Sequence, residues 1–382
     1  MIKKICVVTG GRADYGLLKN VIVEIKSSSK LKLQLAVTGM HLSKKYGFTV
    51  SEIKKDNFKI DAKVKMIFKS DSPLGITKSF ASGVEGFSDV IHFLKPDLLL
   101  LLGDRYEILS AAIASMIARV PIAHIHGGET TFGSYDESIR HSITKMSSIH
   151  FVAANEYKKR VIQLGENPKN VHLVGGLGVD SISKVKTYSK KKIENKLNIS
   201  FGKKNLLVTL HPTTLRKHNE NLEIDELLSA LKFFPDINIF FTKPNSDVGN
   251  KYIHSKILRF ISTRKNCWLF DSLGQKMYFS LLENIDAVVG NSSSGITEAP
   301  SFKKYTINIG NRQEGRLRSM GIIDVKVNSE DIKKSINKIY SKKLNKITNP
   351  YGKKGASKKI IKVLEKTSLK DIEKKIFFDL NK

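Results

Sequence analysis

The chain has 382 residues, 41% of them hydrophobic, with 65 lysines and arginines against 36 aspartates and glutamates, a formal charge of +29. That length exceeds one ordinary core and suits two domains of roughly 150 to 200 residues, while two cysteines, Cys6 and Cys267, exclude a disulfide framework and a Cys-based zinc site and fit a reducing compartment. The charge invites a nucleic-acid or anionic-membrane partner, but lysine is spread along the whole chain with few aromatics interleaved, so neither is expected. Solvated faces and attraction for a small polyanionic substrate are the expectation instead.

From the N-terminus, residues 5–9 read as a buried first strand, without the apolar core and cleavage pattern of a signal peptide. Residues 33–38, 98–102 and 122–126 read as further buried strands, and the best apolar run, 98–102, is far short of a membrane span. Between them, residues 15–26, 76–94, 106–118 and 136–146 have helical length and apolar spacing. Strands at 149–153 and 171–174 follow, then a polar, lysine-rich stretch at 181–198 that reads as a helix plus linker. A second set of strands occupies 205–210, 237–242, 267–270, 287–290 and 305–309, again alternating with helices. The expected class is α/β, with two doubly wound, Rossmann-like parallel-sheet domains at 1–178 and 179–382 facing a cleft. The helical tail after Asn349-Pro350-Tyr351-Gly352 is a candidate to cross back to the first domain. The whole reads as a soluble cytoplasmic protein.

Ligands of such sheets sit beyond the carboxyl ends of the strands, so the residues there are the functional candidates. Strand one runs into Gly10, Gly11, Arg12, Ala13 and Asp14, a turn whose amides and cation suit an anion, although the glycines could serve sterics alone. After 98–102 come Gly103, Asp104 and Arg105. Asp104 faces a cleft or, alternatively, caps the next helix while pairing with Arg105. The strand at 122–126 carries His124 and His126 and leads to Glu129, then to Asp136, Glu137, Arg140 and His141. A metal reading of these histidines lacks HExxH spacing, and no metal or cofactor is expected. Two carboxylates from adjacent strand ends, Asp104 and Glu129, suit acid/base work, with burial raising at least one pKa.

In the second half, His211 and Asn245 follow strands, and Gly290-Asn291-Ser292-Ser293-Ser294-Gly295 opens a helix, with Glu298 near the end of its first turn. Such a loop offers N–H groups, hydroxyls and the helix dipole to a diphosphate, although the serines could be simple N-caps. Arg312, Arg316 and Arg318 lie after the last expected strand, where they could neutralise a leaving phosphate.

Together GGRADYG, GDRYE, HIHGGE, YDESIRHS, HPTT, KPN, GNSSSGITE and GNRQEGR resemble the UDP-N-acetylglucosamine 2-epimerase family, most of all its hydrolysing branch, which supplies sialic and related nonulosonic acids. The likeness extends over nearly the whole chain in the right order. It implies a GT-B-like fold with the sugar nucleotide in the cleft. It also implies acid/base roles for Asp104, Glu129 and Glu137, with Asp136 as a neighbour, and nucleotide or diphosphate contacts at Arg12, Arg105, His211, Asn245, Ser292, Ser293, Glu298 and Arg312. The implied reaction on UDP-N-acetylglucosamine is elimination then hydration, releasing free N-acetylmannosamine. A homodimer or homotetramer is implied as well. YDESIRHS stands where non-hydrolysing relatives have a Pro-Glu-Glu-Ala-Asn-Arg type sequence, which favours hydrolysis. UDP- or GDP-linked 2,4-diacetamido-2,4,6-trideoxyglucose (N,N'-diacetylbacillosamine, the legionaminic acid route) is the alternative substrate. A GT-B glycosyltransferase and a non-catalytic binder are the rival classes.

Overall fold

The computed structural model describes residues 2–43, 48–66, 72–130, 135–212, 222–244, 250–271, 273–341 and 347–380. The chain divides into two compact units, Met1–Ser181 with Gly352–Lys382, and Ile182–Tyr351.

The first unit is built on β1 (Lys3–Thr9), β2 (Leu31–Thr38), β3 (Ala62–Val64), β4 (Leu98–Leu102), β5 (Ile122–Ile125), β6 (Ile149–Val152) and β7 (Val171–Leu173). They form one sheet in the order β3-β2-β1-β4-β5-β6-β7, with every pairing parallel. Both faces are covered, which is why these strands are continuously apolar instead of alternating. Ile5 and Val7 point into a core with Leu18, Ile22 and Ile25 of the helix Arg12–Ser27. Their neighbours Cys6 and Val8 point the opposite way, against Phe87 of helix Pro73–Leu94 and Ile108 and Ala111 of helix Tyr106–Ile117.

The tail helix Ala356–Lys366 belongs to this unit because its apolar stripe, Ala356, Ile360, Ile361 and Leu364, completes the first of those cores. Buried Asp180 receives the Gly355 and Ser357 amides at 2.6 and 3.2 Å, and Lys3 Nζ donates to the carbonyls of Leu364 and Glu365 at 2.8 and 3.0 Å. The second unit therefore ends at Tyr351, not at the chain end as the expected span 179–382 has it.

The second unit carries β8 (Asn205–Thr209), β9 (Asn238–Thr242), β10 (Cys267–Phe270), β11 (Ala287–Gly290), β12 (Tyr305–Ile309) and β13 (Ile322–Val325) in the parallel order β10-β9-β8-β11-β12-β13. In each sheet the order reverses direction once, at β1/β4 and at β8/β11, and such reversals open the crevice where ligands of open α/β sheets bind.

Two strands escaped the sequence pattern. β3 has three residues, too few to show a period, and β13 is a half-exposed edge, so residues 305–309 are not the last strand. Strand β5 also ends one residue earlier than expected, because His126 turns into the left-handed region at φ 67°. Among the described residues no helix is long and apolar enough to cross a membrane.

Candidate functional site

In the first unit, two of the candidate carboxylates, those of Asp104 and Glu137, converge on one guanidinium, which Glu129 meets through its backbone carbonyl. Arg140, four per cent exposed on the helix Asp136–Met146, donates from Nη2 to Asp104 and from Nη1 to Glu137 Oε2 at 3.1 Å and to the Glu129 carbonyl at 2.8 Å. One buried cation thus links the turn after β4, the turn after β5 and the helix that follows. His141 Nε2 lies 3.2 Å from Glu137 Oε1, as the i, i+4 spacing on a helix permits. The Leu177 amide donates to His126 Nε2 at 3.4 Å, leaving Nδ1–H to face Glu129 Oε1 at 3.0 Å. Each carboxylate keeps partial access to solvent: 26% for Asp104, 15% for Glu129 and 25% for Glu137. The arrangement sets carboxylates beside cationic or polar partners while leaving their side chains partly open to solvent, which is what proton exchange with a bound molecule requires.

His124 has another task. It is fully buried, burial pushes its pKa down to about 3, and its Nε2 donates to the Gly103 carbonyl at 2.8 Å, fixing the turn that presents Asp104. With His126 off the strand, the two rings do not share a strand face, and among the described residues no three His, Cys, Asp or Glu form a group that could hold a metal ion. The helix-cap alternative for Asp104 also fails. The N-cap of helix Tyr106–Ile117 is Arg105, without a side-chain cap bond, and Arg105 pairs with Glu107, not with Asp104. In the glycine turn, the Gly10 amide is engaged by Asp14 Oδ2 at 3.1 Å, while Arg12 is exposed. Burial raises the Asp14 pKa against the opposing pull of Arg105.

The second unit gathers a different chemistry at β8/β11. Asn291, fully buried, accepts from the His211 amide at 2.7 Å and donates to the His211 carbonyl at 2.8 Å, locking the two strand ends together. Its own carbonyl receives Arg312 Nη1 at 3.1 Å and Gln313 Nε2 at 2.9 Å. Burial and the neighbouring Arg312 charge push the His211 pKa down to about 4, so the ring is neutral at pH 7. Ser292 is the N-cap of Ser293–Thr297, accepting from the Ser294 amide at 3.4 Å. The Tyr278 hydroxyl donates to Ser294 Oγ at 2.6 Å, and Ser294 donates to Glu298, whose pKa burial raises. Ser292, Ser294 and Glu298 line a cavity of about 340 Å³ together with Thr209, Thr242 and Tyr278. His211, Ser293 and Arg312 do not line it, and Asn245 lies outside the described residues. A larger groove of about 600 Å³ in the first unit, beside β7 and the tail helix, contains none of the candidates but concentrates Lys158, Lys169, Lys359, Lys362 and Lys366.

Arg140, Asn291, Tyr278 and Glu107 were not singled out as site residues from the sequence. Arg140 had a signal, its i, i+3 spacing from Glu137; the other three are defined by partners far away in sequence or by burial.

Two parallel α/β sheets, each with polar residues at its switch point, define a two-unit, doubly wound α/β protein whose ligands bind beyond the strand ends. The family model for UDP-N-acetylglucosamine 2-epimerase matches residues 23–365, and the chain belongs to that family. It is 41% identical over 89% of its length to the GDP/UDP-N,N'-diacetylbacillosamine 2-epimerase (hydrolyzing) of Campylobacter jejuni, covering 88% of that protein. It is 40% identical to polysialic acid biosynthesis protein P7 of Escherichia coli, covering 99% of this chain and 98% of that one. Among solved structures, the UDP-GlcNAc 2-epimerase of Neisseria meningitidis bound to UDP-GlcNAc superposes with a TM-score of 0.75 at 21% identity, over 95% of this chain and 100% of that one. The Staphylococcus aureus MnaA–UDP structure gives a TM-score of 0.77 at 17% identity, over 95% and 96%. The fold is therefore that of these GT-B-like epimerases.

Proposed function

We propose that this sugar-nucleotide 2-epimerase is hydrolysing, converting UDP-N-acetylglucosamine and water to free N-acetylmannosamine and UDP for nonulosonic acid synthesis. The observation that carries the reading is the pair of carboxylates Asp104 and Glu137 held by Arg140, which also takes the Glu129 carbonyl and so brings the Glu129 side chain into the same turn cluster. The anomeric C–O bond breaks first, its electron pair leaving with the nucleotide diphosphate, because C2–H is not acidic until positive charge builds at C1. A carboxylate then takes the C2 proton, leaving a glycal. Delivery of a proton to the opposite face of C2 and of water oxygen to C1 gives the free 2-epimer. Asp104, Glu129 and Glu137 serve as the acid/base groups, while Arg12, Arg105, His211, Ser292, Ser293, Glu298 and Arg312, with Asn245, serve the nucleotide and its diphosphate through charge, hydroxyls and amide dipoles. The cavity at Ser292, Ser294 and Glu298 suits the nucleoside end.

A second substrate is favoured by the 41% identity to the Campylobacter enzyme named for GDP/UDP-N,N'-diacetylbacillosamine. Proton NMR in deuterated water separates the readings. Free N-acetylmannosamine deuterated at C2 from UDP-N-acetylglucosamine supports the first, and product only from UDP- or GDP-diacetylbacillosamine supports the second. Nucleotide release without a free epimer from any of them points to a glycosyltransferase and overturns both.

A further inference from the structure

Glu107 lies in the first turn of helix Tyr106–Ile117, where a glutamate ordinarily stays in water and answers the helix dipole. Here it has no exposed surface. Its carboxylate takes Arg105 Nε at 3.2 Å on Oε2 and Arg105 Nη2 at 3.1 Å on Oε1, a two-point grip on one edge of the guanidinium. The turns after β1 and β2 close over it. A Cβ at Gly39, where φ is 58°, would lie 3.2 Å from Glu107 Cγ and 2.8 Å from the Gly10 carbonyl oxygen, and a Cβ at Gly10 would lie 3.5 Å from Glu107 Cβ. Gly39 is thus what leaves room for a carboxylate beneath these turns, while the 3.5 Å at Gly10 is ordinary contact. Arg105 itself keeps 41% of its side chain exposed. Burial works against its charge, but Glu107 and Asp14 outweigh that and hold the guanidinium firmly cationic.

A buried ion pair is a poor source of net stability, since desolvation consumes most of the attraction. What a side-on carboxylate does supply is orientation. With Nε and Nη2 held, the guanidinium plane is fixed and its remaining N–H groups are aimed outward as a ready fork for an oxyanion. We propose that Glu107 is a positioning residue, which locks the Arg105 guanidinium beside Asp104 so that it meets an anionic group of the sugar nucleotide already oriented. This rests on the activity and the Arg105 contact proposed above.

The test is a double-mutant cycle of Arg105→Ala and Glu107→Gln, read by steady-state kinetics, by calorimetric UDP binding and by urea unfolding. Glu107→Gln raises KM and the UDP Kd by about tenfold, more than it lowers kcat, and the double variant binds no more weakly than Arg105→Ala alone. A KM and Kd within about twofold of wild type for folded Glu107→Gln, or losses that multiply in the double variant, overturn the proposal. Should Glu107→Gln fail to fold, Arg105→Lys decides: it keeps the charge but not the fork, so binding close to that of Arg105→Ala supports the proposal and wild-type binding refutes it. A wild-type enzyme that turns over none of the three substrates strikes the activity reading instead, a result separate from any coupling between Arg105 and Glu107.

Discussion

The two units repeat one architecture and use charge in opposite ways. At the strand ends of the first, Asp104, Glu137 and Glu107 are each gripped by a guanidinium, and Glu129 faces a histidine N–H. At the corresponding ends of the second, a buried Glu298 accepts from the Ser294 hydroxyl, His211 is neutral and the strand ends are tied by an amide. A site that must move protons needs carboxylates held in place and within reach of the bound molecule. One that must hold a nucleoside does better with hydroxyls and amides, which bind without a desolvated charge of their own.

The contrast breaks down if acid/base substitutions in the first unit also disturb nucleotide binding. Asp104→Asn and Glu129→Gln are expected to lower turnover by about 10³-fold or more while changing UDP affinity by less than about threefold, measured by NMR turnover and calorimetry. Backbone substitutions probe how each turn is held. At Gly290, φ is 133° and a Cβ would sit 1.9 Å from the Thr209 carbonyl oxygen, so Gly290→Ala is expected to cost more than about 3 kcal/mol in urea unfolding. Gly103, at φ 81° with nothing within 4 Å of a Cβ, carries only the conformational strain, and Gly103→Ala is expected to cost about 1 kcal/mol.

Acid separates the units as well. Glu166 in the first unit is buried, which opposes its charge, but hydrogen bonds from His150, Lys145 and Lys375 outweigh this and lower its pKa from 4.5 to about 2. Because the folded value is the depressed one, its stabilisation of about 3 kcal/mol is complete above pH 4.5 and is lost as pH falls through about 2. Glu166→Gln should therefore be less stable than wild type at pH 7, with the gap closing between those pH values in urea titrations. A last pair of substitutions concerns Glu298 in the second unit. Glu298→Gln keeps an oxygen to accept from Ser294 and should weaken UDP by less than about threefold, whereas Glu298→Ala, which strands the Ser294 hydroxyl, should weaken it by about thirtyfold.

The sequence by itself determined the alternation of apolar strands and amphipathic helices, and with it the doubly wound class. It also determined where polar residues cluster, because a parallel sheet must bury its strand bodies and can carry chemistry only at their ends. Residues 98–105 illustrate both: five leucines, a run of strand length that suits burial on both faces, then Gly103, Asp104 and Arg105. What the residues pair with was decided by the tertiary structure. Arg105 could have paired with Asp104 on spacing alone, but Gly39 leaves space for Glu107, and Arg140 reaches Asp104 from thirty-six residues away. The fate of the tail had the same origin, since its stripe of Ile360, Ile361 and Leu364 matches any apolar face and only packing beside the helix Arg12–Ser27 in the first core selects one. Periodicity records that a side chain must be buried; the partner that satisfies it is fixed only when distant strand ends are brought together.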